Sequence, residues 1–170
     1  ILDGYKKKSI ALGAEYIQAE AIEVLREGNQ VVGVKLSSGE TLNSNIVMNA
    51  AGAWAAIIAQ TVGVDLPVVP TKRQVTIVET NYRGDGVLPA LFLPSGLYVI
   101  HEGEGLFMVG KSFPDDHIGT DDFIWERKTF EERIWHELVE YIPEFDRLKI
   151  LRGWAGLYEV NTLDGNAILG

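Results

Sequence analysis

Asn49-Ala50-Ala51-Gly52-Ala53-Trp54 follows directly on the apolar run Ile46-Val47-Met48. The junction reads as a buried strand, a stretch of small residues and the start of a helix. Such a strand end puts no side chain in the way of a ligand, and Gly52 has access to backbone angles closed to other residues. The free N–H groups and positive dipole end of the following helix suit an anion such as a phosphate. Close packing of a helix on a sheet through small residues accounts for the same pattern.

Around this junction the segments alternate. Leu2 to Leu12 reads as a helix ended by Gly13. Glu15–Gln18 reads as a short strand. Ala21–Arg26 and Val31–Ser37 read as a hairpin across the four-residue loop Glu27-Gly28-Asn29-Gln30. The helix from Ala53 stops at Gly63, and Pro67 and Pro70 punctuate a crossover. Beyond them Lys72–Thr80, Val87–Leu93, Leu97–His101 and Leu106–Lys111 read as an antiparallel meander. One long helix is expected from Asp122 to Tyr141, because Phe130, Ile134 and Leu138 recur at i, i+4 and Pro143 lies beyond its end. Its apolar face is expected to cover the meander, and Leu148–Trp154 returns as a strand.

Composition excludes several function classes. An apolar share of 46% with mean hydropathy +0.06 supplies a substantial core, so the chain folds. A net charge of −9 argues against a nucleic-acid partner, since phosphate backbones need clustered cations and only Lys6-Lys7-Lys8 offers them. With no cysteine there is no disulfide framework and no thiolate chemistry. A reducing, cytoplasmic compartment is the expectation. No apolar run approaches the ~20 residues of a membrane-spanning helix. Asp115-Asp116-His117 with Asp121-Asp122 has the residue types of a hard-metal site. A loop leading into a helix with an acidic first turn explains these acids better, so no metal is expected. His101 and His136 stand too far from other catalytic side chain types for a triad.

Six segments in order carry a resemblance: Gly13–Val24 (GAEYIQAEAIEV), Val31–Glu40 (VVGVKLSSGE), Asn49–Trp54, Leu66–Val75 (LPVVPTKRQV), Gly96–Ile100 (GLYVI) and Arg152–Gly170 (RGWAGLYEVNTLDGNAILG). The chain resembles the D-amino-acid oxidase superfamily of FAD-dependent oxidoreductases, with its glycine and sarcosine oxidases and proline dehydrogenases. It looks closest to the branch containing a mitochondrial FAD-dependent oxidoreductase-domain protein linked to respiratory complex I assembly. The resemblance implies an α+β fold: the end of a Rossmann-like FAD-binding domain over 1–66, an antiparallel substrate domain covered by a long helix over 67–151, and a strand returning to the FAD domain over 152–170. The family's GxGxxG phosphate motif does not occur in the chain. An interior fragment, binding FAD weakly or not at all by itself and inactive alone, is therefore expected.

Carried over residue by residue, the resemblance gives Ile22 the position whose main chain pairs with adenine. Ala51 and Gly52, with Trp54 beside them, line the adenosine and pyrophosphate. Tyr98 matches a tyrosine that bonds the substrate carboxylate. An ordinary strand isoleucine and a core tyrosine are the alternatives at Ile22 and Tyr98. Two departures stand out. Tyr158 occupies the place of an arginine that grips the substrate carboxylate. Arg73 stands where many relatives have glycine, as a replacement cation or as an exposed strand residue. The implied activity is FAD-dependent oxidation of an amine or amino acid, with secondary or N-substituted amines favoured over glycine, and with the difficult chemistry belonging to the cofactor. A protein keeping the fold but serving as an assembly partner is the alternative.

Overall fold

The computed structural model describes residues 1–169 apart from Asp85 and Val87. The chain divides into two compact units, one of Ile1–Ala51 with Ala56–Leu66, the other of Gly52–Ala55 with Pro67 onward.

In the first unit α1 (Leu2–Ala11) is followed by a small antiparallel sheet, β1 (Ala21–Glu27), β2 (Gln30–Leu36) and β3 (Thr41–Asn43), and by α2 (Ala55–Gln60), whose first residue belongs to the second unit. Glu27 pairs with Gln30, so the hairpin closes through two residues rather than the expected four. Gly28 supplies the positive φ of 58° that such a tight turn needs. Val24 and Leu36 are buried. The Val24 N–H donates to the Thr61 hydroxyl at 3.0 Å, tying β1 to the segment after α2. The stretches expected as strands at Glu15–Gln18 and Ile46–Asn49 are not strands. Neither has a neighbouring strand among the described residues to form a hydrogen-bonded ladder, and strand propensity alone does not supply one.

The second unit is a five-stranded antiparallel sheet of β4 (Val68–Glu79), β5 (Leu91–Phe92), β6 (Tyr98–Gly103), β7 (Leu106–Gly110) and β8 (Lys149–Asn161), in the order β5-β6-β7-β4-β8. The meander strand expected over Val87–Leu93 shrinks to Leu91–Phe92, and Val87 lies outside the described residues. The return strand runs past Trp154 to Asn161, because β4 offers it a full-length partner from Glu79 opposite Lys149 to Val68 opposite Asn161.

Strand alternation divides the sheet into two faces. Val78, Val99, Phe107 and Val109 point to one side, where they are buried with Leu97, Phe130, Ile134, Leu138 and Phe145. Phe130 comes from α3 (Arg127–Arg133), Leu138 from α4 (Trp135–Tyr141), Ile134 from the junction between them and Phe145 from the 3₁₀ turn Pro143–Arg147. The i, i+4 reading of Phe130, Ile134 and Leu138 thus holds, while the single long helix does not. Ile134 departs from helical geometry at φ −117°, although the Ile134 N–H still reaches the Phe130 carbonyl and the Leu138 N–H the Ile134 carbonyl.

Tertiary partners override the expected helical start at Asp122. The Gln74 side-chain oxygen accepts from the Glu126 N–H at 2.6 Å, Asp122 accepts from the Ile124 N–H at 2.9 Å, and the Trp125 indole donates to the Thr76 hydroxyl at 3.2 Å. The Trp125 ring also fills the space over Gly153 that a Cβ would need.

The helical layer is fastened to the sheet at Glu137 on α4, which accepts hydrogen bonds from Lys111 and Ser95. Burial alone would raise the Glu137 carboxyl, but these two bonds outweigh it and hold the group below its ordinary value. A depressed carboxyl stabilises the fold above the unfolded pKa of about 4.3 and loses that contribution as pH falls through the folded value. Glu137→Gln is expected to destabilise by about 1.5–3 kcal/mol at neutral pH. It should also flatten the acid limb of a urea-denaturation series measured against pH.

Candidate functional site

The face of the sheet away from the helices carries the candidate substrate residues. In register, Tyr98 lies opposite Gly110, Gly110 opposite Val75, Arg73 opposite Gly156, and Thr71 opposite Tyr158. Residues paired in this way share a face. Tyr98, Arg73 and Tyr158 therefore rise from the same side, together with Ile100, Met108 and Trp154. The expected split of Tyr98 and Ile100 from Val99 and His101 is observed, since Val99 and His101 are buried on the helical side.

Tyr98 is half-buried, with its ring lying where a Cβ on Gly110 would stand. Burial pushes its phenol above the usual value, and neighbouring Tyr158 adds to the shift. Tyr98 is consequently a neutral hydrogen-bond donor throughout the physiological range. The Arg73 guanidinium carbon lies 5.9 Å from the centre of the Tyr158 ring, within cation–π range. Arg73 is not an exposed strand residue. It donates to Asp116 and to the Lys72 carbonyl, while its Nε is buried without a partner. Tyr158 itself is 56% exposed.

The acids once read as a helix start serve instead as counter-ions. Asp115 pairs with Arg133, Asp116 with Arg73 and Asp122 with Lys72, while Asp121 is in hydrogen-bond contact with the His117 ring. The first turn of α3 carries no acid. Lys72 points to the helical side, and its hydrogen bond holds the Asp122 carboxyl below its ordinary value.

Each cofactor-type residue keeps its own geometry. Ile22 falls where the β1–β2 register shifts between Ala21 and Glu23, so it has no partner residue, and its side chain is 42% exposed. Ala51 follows an Asx turn in which its N–H donates to the Asn49 side chain at 3.2 Å. Gly52 has φ +55° and opens the 3₁₀ turn Gly52–Trp54, ahead of an α2 only six residues long. A Cβ there would meet nothing nearer than Glu159 Oε2 at 4.0 Å. The backbone is thus open to close approach, but the short helix and the Glu159 carboxylate suit a ribose or other hydroxyl group better than a phosphate. Trp54 is 44% exposed. The sequence reading missed Gly110, Asp116 and Gly156. Glycine inside a strand signals close approach, whereas nothing in the loop sequence singles out Asp116.

An open groove of about 710 Å³ lies elsewhere, between Phe130 and Trp135 of the helices and Ile150 of β8, and contains none of these residues. No helix among the described residues is long and apolar enough to cross a membrane.

A family model described as DAO, FAD dependent oxidoreductase, matches residues 1–170. The chain belongs to this family. It is 29% identical over its whole length to bovine FAD-dependent oxidoreductase domain-containing protein 1, of which it covers 41%. It is 31% identical to Pseudomonas aeruginosa glycine oxidase over 82% of the chain and 36% of that protein. Among solved structures, L-proline dehydrogenase from P. horikoshii superposes with a TM-score of 0.83 at 28% identity, covering 99% of this chain and 45% of that one. The chain thus spans about two fifths of the length of the curated relatives it matches. Membership places it in a family of FAD-dependent oxidoreductases with amino-acid oxidase relatives, on the α+β fold of those flavoenzymes.

Gly110 tests the seating of Tyr98. Gly110→Ala is expected to displace the phenol and destabilise by about 1–3 kcal/mol. In an ultraviolet titration the late-ionising tyrosine, identified by its loss in Tyr98→Phe, should then move down toward the ordinary value near 10.

Proposed function

We propose that the open face of the five-stranded sheet binds the carboxylate of an amino acid whose amine is secondary or N-substituted, within a flavoprotein that oxidises the carbon next to that amine. The observation that carries this reading is the convergence of Arg73, Tyr98 and Tyr158 on one face, with an unpaired buried nitrogen on Arg73. Tyr98 donates one neutral hydrogen bond, and Arg73 supplies the charge-assisted one that the family's missing arginine would have made. A carboxylate left unpaired against this half-apolar surface would be costly. Gly156 adds room, since a Cβ there would meet nothing within 4 Å between the Trp154 and Tyr158 positions.

For the cofactor, the open backbone at Gly52, with Trp54 beside it, fits the nucleotide end of FAD; Ile22 and Ala51 of the first unit are proposed for FAD on the family resemblance alone. When bound, FAD supplies the hydride acceptor. The chain's residues orient the substrate, exclude water from its carboxylate and hold the Tyr98 proton. The 170 residues are proposed to bind FAD weakly by themselves and to be inactive alone, since the phosphate-cradling glycines are not among them.

Anaerobic titration of the full-length flavoprotein with N-methylglycine, proline and glycine tests the reading through the visible spectrum. Bleaching by the secondary amines at concentrations where glycine has no effect is expected. If no amine bleaches the flavin, a role as assembly partner takes precedence. Tyr98→Phe should weaken binding by about 0.5–1.5 kcal/mol, or 1.5–3 if its partner is the charged carboxylate.

A further inference from the structure

We infer that Asp116 sets the charge selectivity of this face, making it a seat for one carboxylate and not two; the inference rests on the carboxylate pocket proposed above. Asp116 Oδ2 accepts from Arg73 Nη1 and from the Phe113 N–H at 2.8 Å, and both side chains of the ion pair are largely buried, at 14% and 17% exposure. The loop that carries it is laced to β4. The Lys72 N–H donates to the His117 carbonyl at 2.8 Å, the Gly119 N–H donates to the Pro70 carbonyl at 3.0 Å, and Thr71 bridges to Ile118. Asp116 therefore cannot swing aside to let a ligand take both ends of the guanidinium.

One edge of Arg73 remains. Nε is buried and unpaired, and Nη2 makes no hydrogen bond among the described residues. An unsatisfied buried donor favours a ligand acceptor. The Nε–Nη2 edge is a planar two-donor fork of the shape that takes one carboxylate.

Charge decides what else the ligand can carry. Asp116 already balances Arg73, so the first ligand carboxylate leaves the site with an excess negative charge that a substrate ammonium offsets. A second carboxylate has no counter-ion nearby among the described residues. Lys72 is turned to the other face and held by Asp122 and Glu126, Lys111 is held by Glu137, and Arg133 by Asp115. Arg152, paired with Ile77, sits four residues further along β4. The site thus favours amino acids with a single carboxylate and disfavours dicarboxylates.

Acetate and malonate, neither of which has an amine to oxidise, report this directly when their dissociation constants for the full-length protein are measured by ligand-observed NMR. The parent protein should bind acetate more tightly than malonate. Asp116→Asn keeps an oxygen acceptor for Arg73 but removes the charge, and should improve malonate relative to acetate by roughly tenfold. Asp116→Glu, which keeps the charge, should retain the parental ratio. A merely structural role would move both probes together and leave the ratio unchanged, and that result overturns the inference. Arg73→Gln separates the two ideas. If it abolishes acetate binding while Asp116→Asn leaves the ratio at the parental value, the pocket stands and the role of Asp116 falls. If Arg73→Gln leaves acetate binding intact, or the parent binds no acetate, the pocket and the inference fall together.

Discussion

The ladder between β4 and β8 is the constraint on which the second unit depends. Its register runs from Val68 opposite Asn161 to Glu79 opposite Lys149 with one irregularity, between Ile77 and Val78. Because side chains alternate with a period of two, a slip of one residue would exchange the faces of the whole strand. Ile150 would leave the core, and Tyr158 would turn from Arg73 to the helical side. The extra residue at the irregularity is Leu151, which is 51% exposed. It permits Ile150 to face the helices while Arg152, Trp154 and Tyr158 face away, as a bulge does when it re-aims the residues around it.

The same sheet separates two electrostatic regimes. On the helical side, Lys72 is nearly fully buried with Asp122 as its close partner and Glu126 beyond. Such a pair contributes little net stability against its desolvation, but losing the Asp122 carboxylate would leave the buried Lys72 charge without its close partner, at a large penalty. It fixes where the Asp122–Glu126 segment lies, and with it the position of Trp125 over Gly153. On the open side, Arg73 keeps an unpaired nitrogen. Buried donors are normally satisfied; His101 Nε2 on the helical side is unpaired as well, but it is a neutral ring nitrogen stacked on Phe107 at 4.7 Å, whereas the Arg73 nitrogen belongs to a cation on the face away from the core.

Much of the second unit was legible in the sequence because its signals are local. The i, i+4 spacing of Phe130, Ile134 and Leu138 states a buried helix face, and alternation along Tyr98–His101 states which residues share a side. The site was legible only in part. Tyr98, Tyr158 and Arg73 were singled out through family resemblance, whereas Gly110 and Asp116 were not, because their roles depend on a side chain from another segment: the Tyr98 ring over Gly110, and Arg73 against a loop 43 residues away.

By itself the sequence determined the α+β class, the apolar periodicities and membership in a flavoprotein family. Each follows from composition, short-range spacing or ordered motifs. The tertiary structure alone decided where the helix begins, because Gln74 and Thr76 compete for the backbone and side chains of Glu126 and Trp125. It decided that Ile46–Asn49 is not a strand, since a strand exists only where another backbone lies alongside. It also decided that Arg73 meets Asp116 and Tyr158, because a strand's pattern says which residues share a face but not what stands across from them.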